Sequence, residues 1–275
     1  MPLKPESGRA SSFRIDVLIP AIEKDLKTLP HVVEGVKRHV RHPIGQVLIV
    51  APKKGAIVDL CRKKGYRFID ENTVLPLKKQ DIRYSSKHWE RSGWLLQQLL
   101  KLSGDRLAGT KHFLVIDADT VLIRPHTFLS GGQTSYYTRS WSQPQYFVTY
   151  NKLMGKKASA PRSFVAHYML FDKQKLRELK NDIERRHGKR WYKAIMESMN
   201  KKKQFAFSEY ETYGNFVFGR YPGSVRLKPA LNRELHSEAS SLTENKRRSL
   251  AAKYRSVSFH ERKMYSRAAK KTEGL

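Results

Sequence analysis

Short apolar runs alternate with segments of helical period along the first part of the chain, and this alternation narrows the fold more than any other feature. From Ile15 the sequence reads Asp16-Val17-Leu18-Ile19-Pro20-Ala21, an apolar strand stopped by proline. Leu29, Val32, Val33, Val36 and Val40 follow at spacings of three and four, the stripe of an amphipathic helix. Gln46 to Ala51 predicts a second strand, Ile57 to Lys64 a short helix stopped by Gly65, and Arg67 to Asp70 a third strand. Strand and helix in turn imply an α/β fold, a mostly parallel sheet with helices on both faces. Gly93 to Leu102 continues the pattern as a helix, with Leu95, Leu96, Leu99 and Leu102 on its core side and Trp94, Gln97, Gln98 and Lys101 on the other.

That helix leads into His112-Phe113-Leu114-Val115-Ile116, which ends in Asp117-Ala118-Asp119 before apolar residues resume at Thr120-Val121-Leu122-Ile123. On extended backbone, residues two apart point to the same side, so Asp117 and Asp119 would offer oxygens to one hard cation. A fully buried strand does not carry such charge unpaired. Mg²⁺ and Mn²⁺ favour one or two carboxylates completed by water and phosphate. Ligands of open α/β sheets bind beyond the carboxyl ends of the strands, where both aspartates fall. Alone, a D-x-D reads as two aspartates capping a turn; its place in the alternation favours a metal–diphosphate site.

At 275 residues the chain can build one substantial core or two halves sharing a sheet. We expect a polar, disordered leader over 1–12, a single domain over 13–262 with a nucleotide-binding half to about 125 and an acceptor half beyond it, and a basic tail over 263–275. The lone Cys61 excludes an intrachain disulfide and reads as a small buried residue. No apolar stretch approaches the length that spans a bilayer, so the expectation is a cytoplasmic protein, peripheral at the inner membrane face. The formal net charge of +29 is too large for an ordinary solvated surface. It attracts polyanions: nucleic acid without sequence preference, acidic polysaccharide, or an anionic membrane.

Three further segments carry candidate chemistry. Ser163 to Phe171 reads as a strand bearing His167 and Tyr168, followed by a helix from Lys173 to Leu179, while Trp141 to Tyr146 has the aromatic and amide content of a sugar-stacking loop. Ser208 followed by Glu211 is a capping-box pattern, yet one cap does not need both Glu209 and Glu211. Arg255 to His260 is a short strand pattern ending in histidine, and neutral imidazole suits Mn²⁺.

The order of these parts resembles the GT-A class of nucleotide-sugar glycosyltransferases. Within it, Gly93-Trp94-Leu95-Leu96-Gln97-Gln98 with Lys101-Leu102, the Asp-Ala-Asp-Thr block and Ser208-Glu209-Tyr210-Glu211-Thr212-Tyr213-Gly214 are similar to a bacterial group of glycosyltransferases, over roughly Arg14 to His260. The resemblance implies a GT-A, Rossmann-like sheet with a smaller C-terminal acceptor lobe. It implies a nucleoside diphosphate sugar as donor, UDP first, and a hydroxyl of a surface glycan or glycolipid as acceptor, acidic acceptors included. Asp117, Asp119 and His260 would hold Mn²⁺ or Mg²⁺. Pro20, Ala21, Lys24, Asp70, Arg91, Trp94, Gln97, Lys101, Asp117 and Ala118 would meet the donor nucleotide, and His167 or Tyr168 the acceptor. An inverting enzyme needs a carboxylate to take the acceptor proton; Glu209 is the first candidate and Glu211 the second. The alternative is a nucleic-acid-binding protein or a metal-dependent nucleotidyltransferase using the same aspartates. Against the latter stands Pro20-Ala21-Ile22-Glu23, which is no glycine-rich phosphate loop.

Overall fold

The computed structural model describes residues 11–259. Five strands form the central sheet in the order Tyr168–Asp172, His112–Ile116, Ile15–Pro20, Ile44–Ala51, Arg67–Asp70. Four run parallel, and the edge strand Tyr168–Asp172 is antiparallel to its neighbour. The chain is therefore a mixed α/β protein with a mostly parallel sheet, as its alternation of elements requires. The edge strand comes from the second half of the chain, so both halves share one sheet.

The sheet is buried on both faces. One face of the strands presents Leu18, Leu48, Val50, Phe113, Val115 and Phe171 to the helices Ser92–Lys101, Lys173–His187, Trp191–Ser198 and Glu209–Arg220. The other presents Ile15, Val17, Ile19, Ile49, Leu114 and Ile116 to the helices Leu29–His39 and Gly55–Lys64. Gly65 ends the second of these helices at φ 69°, a left-handed position that glycine adopts without steric cost. Asp172 caps the Lys173–His187 helix by accepting from the Gln174 and Lys175 N–H groups. Two glycines mark close approaches: a Cβ on Gly104 would lie 2.2 Å from the Phe113 ring, and one on Gly214 2.2 Å from the Phe164 ring.

Several boundaries differ from the sequence reading. The apolar run over 112–123 is not one interrupted strand. His112–Ile116 belongs to the central sheet, whereas Thr120–Leu122 pairs with Ser256–Phe259 in a second sheet whose far strand is Asn232–Leu235. The strand expected from Ser163 starts at Tyr168, because His167 sits at φ 67° and breaks the extended run. The expected sugar-stacking loop becomes helical at Pro144, which opens the Pro144–Met154 helix; Tyr146 is buried there and Trp141 stays exposed. Neither the Trp191–Ser198 helix nor the strands Gln133–Thr138 and Val225–Pro229, which pair in a third sheet, carried a signal we could read. No helix among the described residues is long and apolar enough to cross a membrane.

Candidate active site

The strand His112–Ile116 stops at Ile116, and residues 117–119 form a turn closed by the Thr120 N–H donating to Asp117 O (3.1 Å). The two aspartates are thus not alternate residues of an extended strand, and they are not equivalent. Asp117 faces inward. Its Oδ1 accepts from Lys101 Nζ at 2.5 Å and from the Tyr210 hydroxyl at 3.2 Å, and its Oδ2 meets His167 Nδ1 at 3.1 Å. Asp119 accepts from the Thr120 hydroxyl (3.2 Å), and its backbone carbonyl takes the Phe259 N–H (2.9 Å), which ties the turn to the second sheet.

Lys101 occupies the last turn of the Ser92–Lys101 helix and is 7% exposed. Its ammonium also donates to Glu209 Oε1 at 2.8 Å and lies 4.6 Å from the Tyr210 ring centroid. Burial disfavours the charged lysine, but the charges of Asp117 and Glu209 outweigh it and raise the lysine above its ordinary range. Burial likewise opposes ionisation of Asp117; Lys101 and the His167 hydrogen bond reverse that and hold the carboxyl well below the usual carboxylate range. For Glu209, burial dominates over Lys101, with Asp117 adding repulsion, so its carboxyl binds a proton more readily than usual.

His167 joins this cluster to a second group. Arg139 Nη2 lies 3.0 Å from His167 Nε2, and the Asp117 N–H donates to the His167 carbonyl at 2.9 Å. A guanidinium only donates and a carboxylate only accepts, so the ring is fixed as the tautomer with the proton on Nδ1, donating to Asp117. Holding this in a left-handed backbone costs on the order of 1–3 kcal/mol, the kind of strain that gathers at functional sites.

Ser208 caps the Glu209–Arg220 helix, accepting the Glu211 N–H at 3.2 Å. The Glu211 carboxylate does not complete the box. It accepts from the Ser163 hydroxyl (2.8 Å) and the Phe164 N–H (3.0 Å), pinning the segment that leads to His167. Burial raises its carboxyl too.

Of the other sequence candidates, Pro20 and Ala21 are buried where the first strand ends, and Lys24 lies exposed in the following turn, 3.3 Å from Asp25 Oδ1. Asp25 is buried, and burial raises its carboxyl against the opposing charge of Lys24, with the charge of Asp119 adding a smaller push upward. Ala118 is buried within the turn. Arg91 is buried with its guanidinium 4.7 Å from the Phe205 ring and 5.3 Å from Trp94, while Gln97 is half-buried one turn on. Asp70 closes a turn by accepting from the Asn72 N–H and amide, at the end of the third strand, which forms the edge of the sheet opposite Tyr168–Asp172. His260 lies outside the described residues. Tyr210 and Arg139 were missed: Tyr210 stood inside the Ser208–Gly214 motif with nothing to single it out, and Arg139 was one basic residue among many.

A family model described as "Family of unknown function (DUF6492)" matches residues 21–272. No curated protein matches the chain. Among solved structures, similarity is found to galactosyltransferase LgtC in complex with donor and acceptor sugar analogs (15% identity, 89% of this chain and 87% of that one, TM-score 0.45). It extends to mouse xyloside xylosyltransferase 1 (11%, 90% and 98%, TM-score 0.47). The bifunctional glycosyltransferase WbbM matches at 13% identity and TM-score 0.46, over 94% of this chain and 47% of its own length, so the chain spans about half of that protein.

Proposed function

The chain belongs to that family of unknown function, and we propose that it is a metal-dependent glycosyltransferase that moves a sugar from a nucleoside diphosphate, UDP first, to a hydroxyl of a bacterial surface glycan or glycolipid. One observation carries the reading: Lys101, Asp117, Glu209, Tyr210 and His167 converge at the carboxyl end of a central parallel strand, beside the turn that bears Asp119. Such a buried charged cluster is costly as a structural element and lies where open α/β sheets bind ligands. The sequence resemblance to GT-A enzymes supports the same chemistry.

The donor set fits a hard divalent ion. Asp117 and Asp119 would supply only oxygens, the ligand type that such ions prefer. Among the described residues no three such side chains gather, which leaves coordination positions to phosphate oxygens and water. When bound, the ion supplies charge neutralisation to the departing diphosphate. The chain's own residues do the rest. Lys101 and His167 fix the orientation of Asp117. Glu209, whose carboxyl is raised by burial, accepts the proton of the attacking hydroxyl as the bond from the anomeric carbon to the diphosphate breaks and the electron pair leaves with the phosphate. Glu211 holds the Ser163–Phe164 segment in place.

The test is a thermal-shift measurement with UDP and UDP-sugars, with and without Mn²⁺. UDP at a hundred times its dissociation constant should add about 2.7 kcal/mol only when the metal is present, and Asp119→Ala should abolish the gain while the fold persists. Unchanged metal–UDP binding by Asp119→Ala overturns the metal site.

The +29 charge supports a polyanionic setting, with the inner membrane face as our reading. Binding to vesicles containing anionic lipid should fall as salt rises. The nucleic-acid alternative predicts instead that DNA and metal–UDP exclude each other, with no affinity for anionic vesicles.

A further inference from the structure

A cavity of about 320 Å³ opens beside the D-x-D cluster, lined by Arg139, His167, Leu231, Asn232, Glu234 and Ser258. Its walls come from three places: the end of the Gln133–Thr138 strand, the segment before Tyr168, and the second sheet. Three non-glycine residues among those described have positive φ, and two of them, His167 (67°) and Leu231 (49°), line this one cavity. Strained backbone of this kind clusters at active sites and ligand clamps.

The chemistry of the lining narrows that ligand. Asn232 donates to Ser258 Oγ at 2.7 Å and accepts from Ser256 Oγ at 2.8 Å, so that wall is a fixed amide–hydroxyl grid. Arg139 is anchored through His167 to Asp117. Among the described residues, the lining carries one cation, Arg139, and one anion, Glu234. A phosphate pocket would concentrate donors and positive charge; this one offers donors and acceptors in balance, which matches hydroxyl groups that do both. Its volume sits at the small end of ligand pockets.

Resting on the glycosyltransferase reading, we infer that this cavity seats an uncharged pyranose ring, and that Glu234 is the residue that rejects a sugar carrying a carboxylate. Like charges at contact disfavour each other, and most strongly where water is excluded. With Glu234 made neutral, Arg139 would leave the cavity net positive, and the preference should move toward the acid.

The experiment separates this inference from the one it rests on, because it reads binding without turnover. Saturation-transfer NMR with the full chain compares methyl hexopyranosides and methyl uronates, then repeats the panel with Glu234→Gln after a melting curve confirms its fold. The parent should bind neutral pyranosides in preference to uronates, and Glu234→Gln should shift the ratio toward uronates by about tenfold or more. Displacement of the neutral glycoside by a UDP-hexose assigns the ring to the donor, and simultaneous binding assigns it to the acceptor; either supports the inference. A parent that binds no pyranoside, or prefers uronates, overturns it even if the variant fails to fold, as does an unchanged ratio in a folded Glu234→Gln. Neutral-sugar binding with no transfer from any sugar nucleotide would instead count against the enzyme reading alone.

Discussion

Lys101 and Lys180 are buried to nearly the same degree, at 7% and 6% exposure, and each meets an aspartate. Lys180, on the Lys173–His187 helix, pairs with Asp105, near Arg177 Nε at 3.8 Å and with its ammonium 5.0 Å from the Trp191 ring. Burial lowers this lysine despite the charges of Asp105 and Glu184, and Arg106 adds repulsion. Lys101 instead faces two carboxylates, and their charges raise it. Burial opposes the charge on both lysines; two carboxylates hydrogen-bonded to Lys101 outweigh it, and the single one hydrogen-bonded to Lys180 does not. The Asp105–Lys180 pair clamps the short Gly104–Leu107 helix to the Lys173–His187 helix. A lysine outnumbered by acids keeps negative charge in a buried site, which is useful only where something cationic or proton-bearing must arrive.

The largest effect should separate the two clusters by chemistry. Glu209→Gln should lower transfer about a hundred- to ten-thousand-fold, whereas Asp105→Asn should leave turnover per folded molecule intact. Initial rates normalised to folded protein check this, and near-full turnover by Glu209→Gln with loss in Glu211→Gln would exchange the roles of the two glutamates. The next effect is on stability. Asp105→Asn strands Lys180 and should cost about 3 kcal/mol in a denaturant melt; a cost near zero would mean that the clamp contributes nothing.

Glu211→Gln tests the positioning side of the comparison. It weakens the acceptor for Ser163 and the Phe164 N–H, so a loss of about 1–3 kcal/mol is expected. The smallest effect concerns a third interior group. His126, fully buried, is pushed by burial down to about 3, although its hydrogen bond to the Arg124 carbonyl opposes this. The unfolded chain takes up this proton below its ordinary value near 6.5 and the folded chain only near 3. Stability should therefore fall as pH drops through 6.5, by about 0.8 kcal/mol already at pH 6. His126→Gln should flatten that slope in pH-dependent melts; an unchanged slope would place the titration elsewhere.

The core of this comparison was partly readable from the chain. Strand–helix alternation gave the central sheet nearly strand for strand, because period and turn residues are local signals. Asp117, Lys101 and Glu209 were picked out singly, by residue type and motif. Their meeting was not readable, since it depends on how the Glu209–Arg220 helix docks against the end of the Ser92–Lys101 helix. Ser163 to His167 looked like strand because its composition is apolar, and nothing local announces a histidine with left-handed backbone. The direction of the edge strand was hidden for the same reason: antiparallel pairing with His112–Ile116 is settled by packing across the whole sheet.

The missing side chain at Gly214 has a consequence for how such a site is inherited. Three residues after Glu211 on the same helix, the chain works as a gauge block: helix backbone rests on the Phe164 ring with no spacer between them. One added methyl group would lift the helix end that carries Glu209, Tyr210 and Glu211 without touching any of the three. The assembly's tolerance is then set by an atom that is absent, and drift at this silent position would blunt the chemistry as surely as losing an acid.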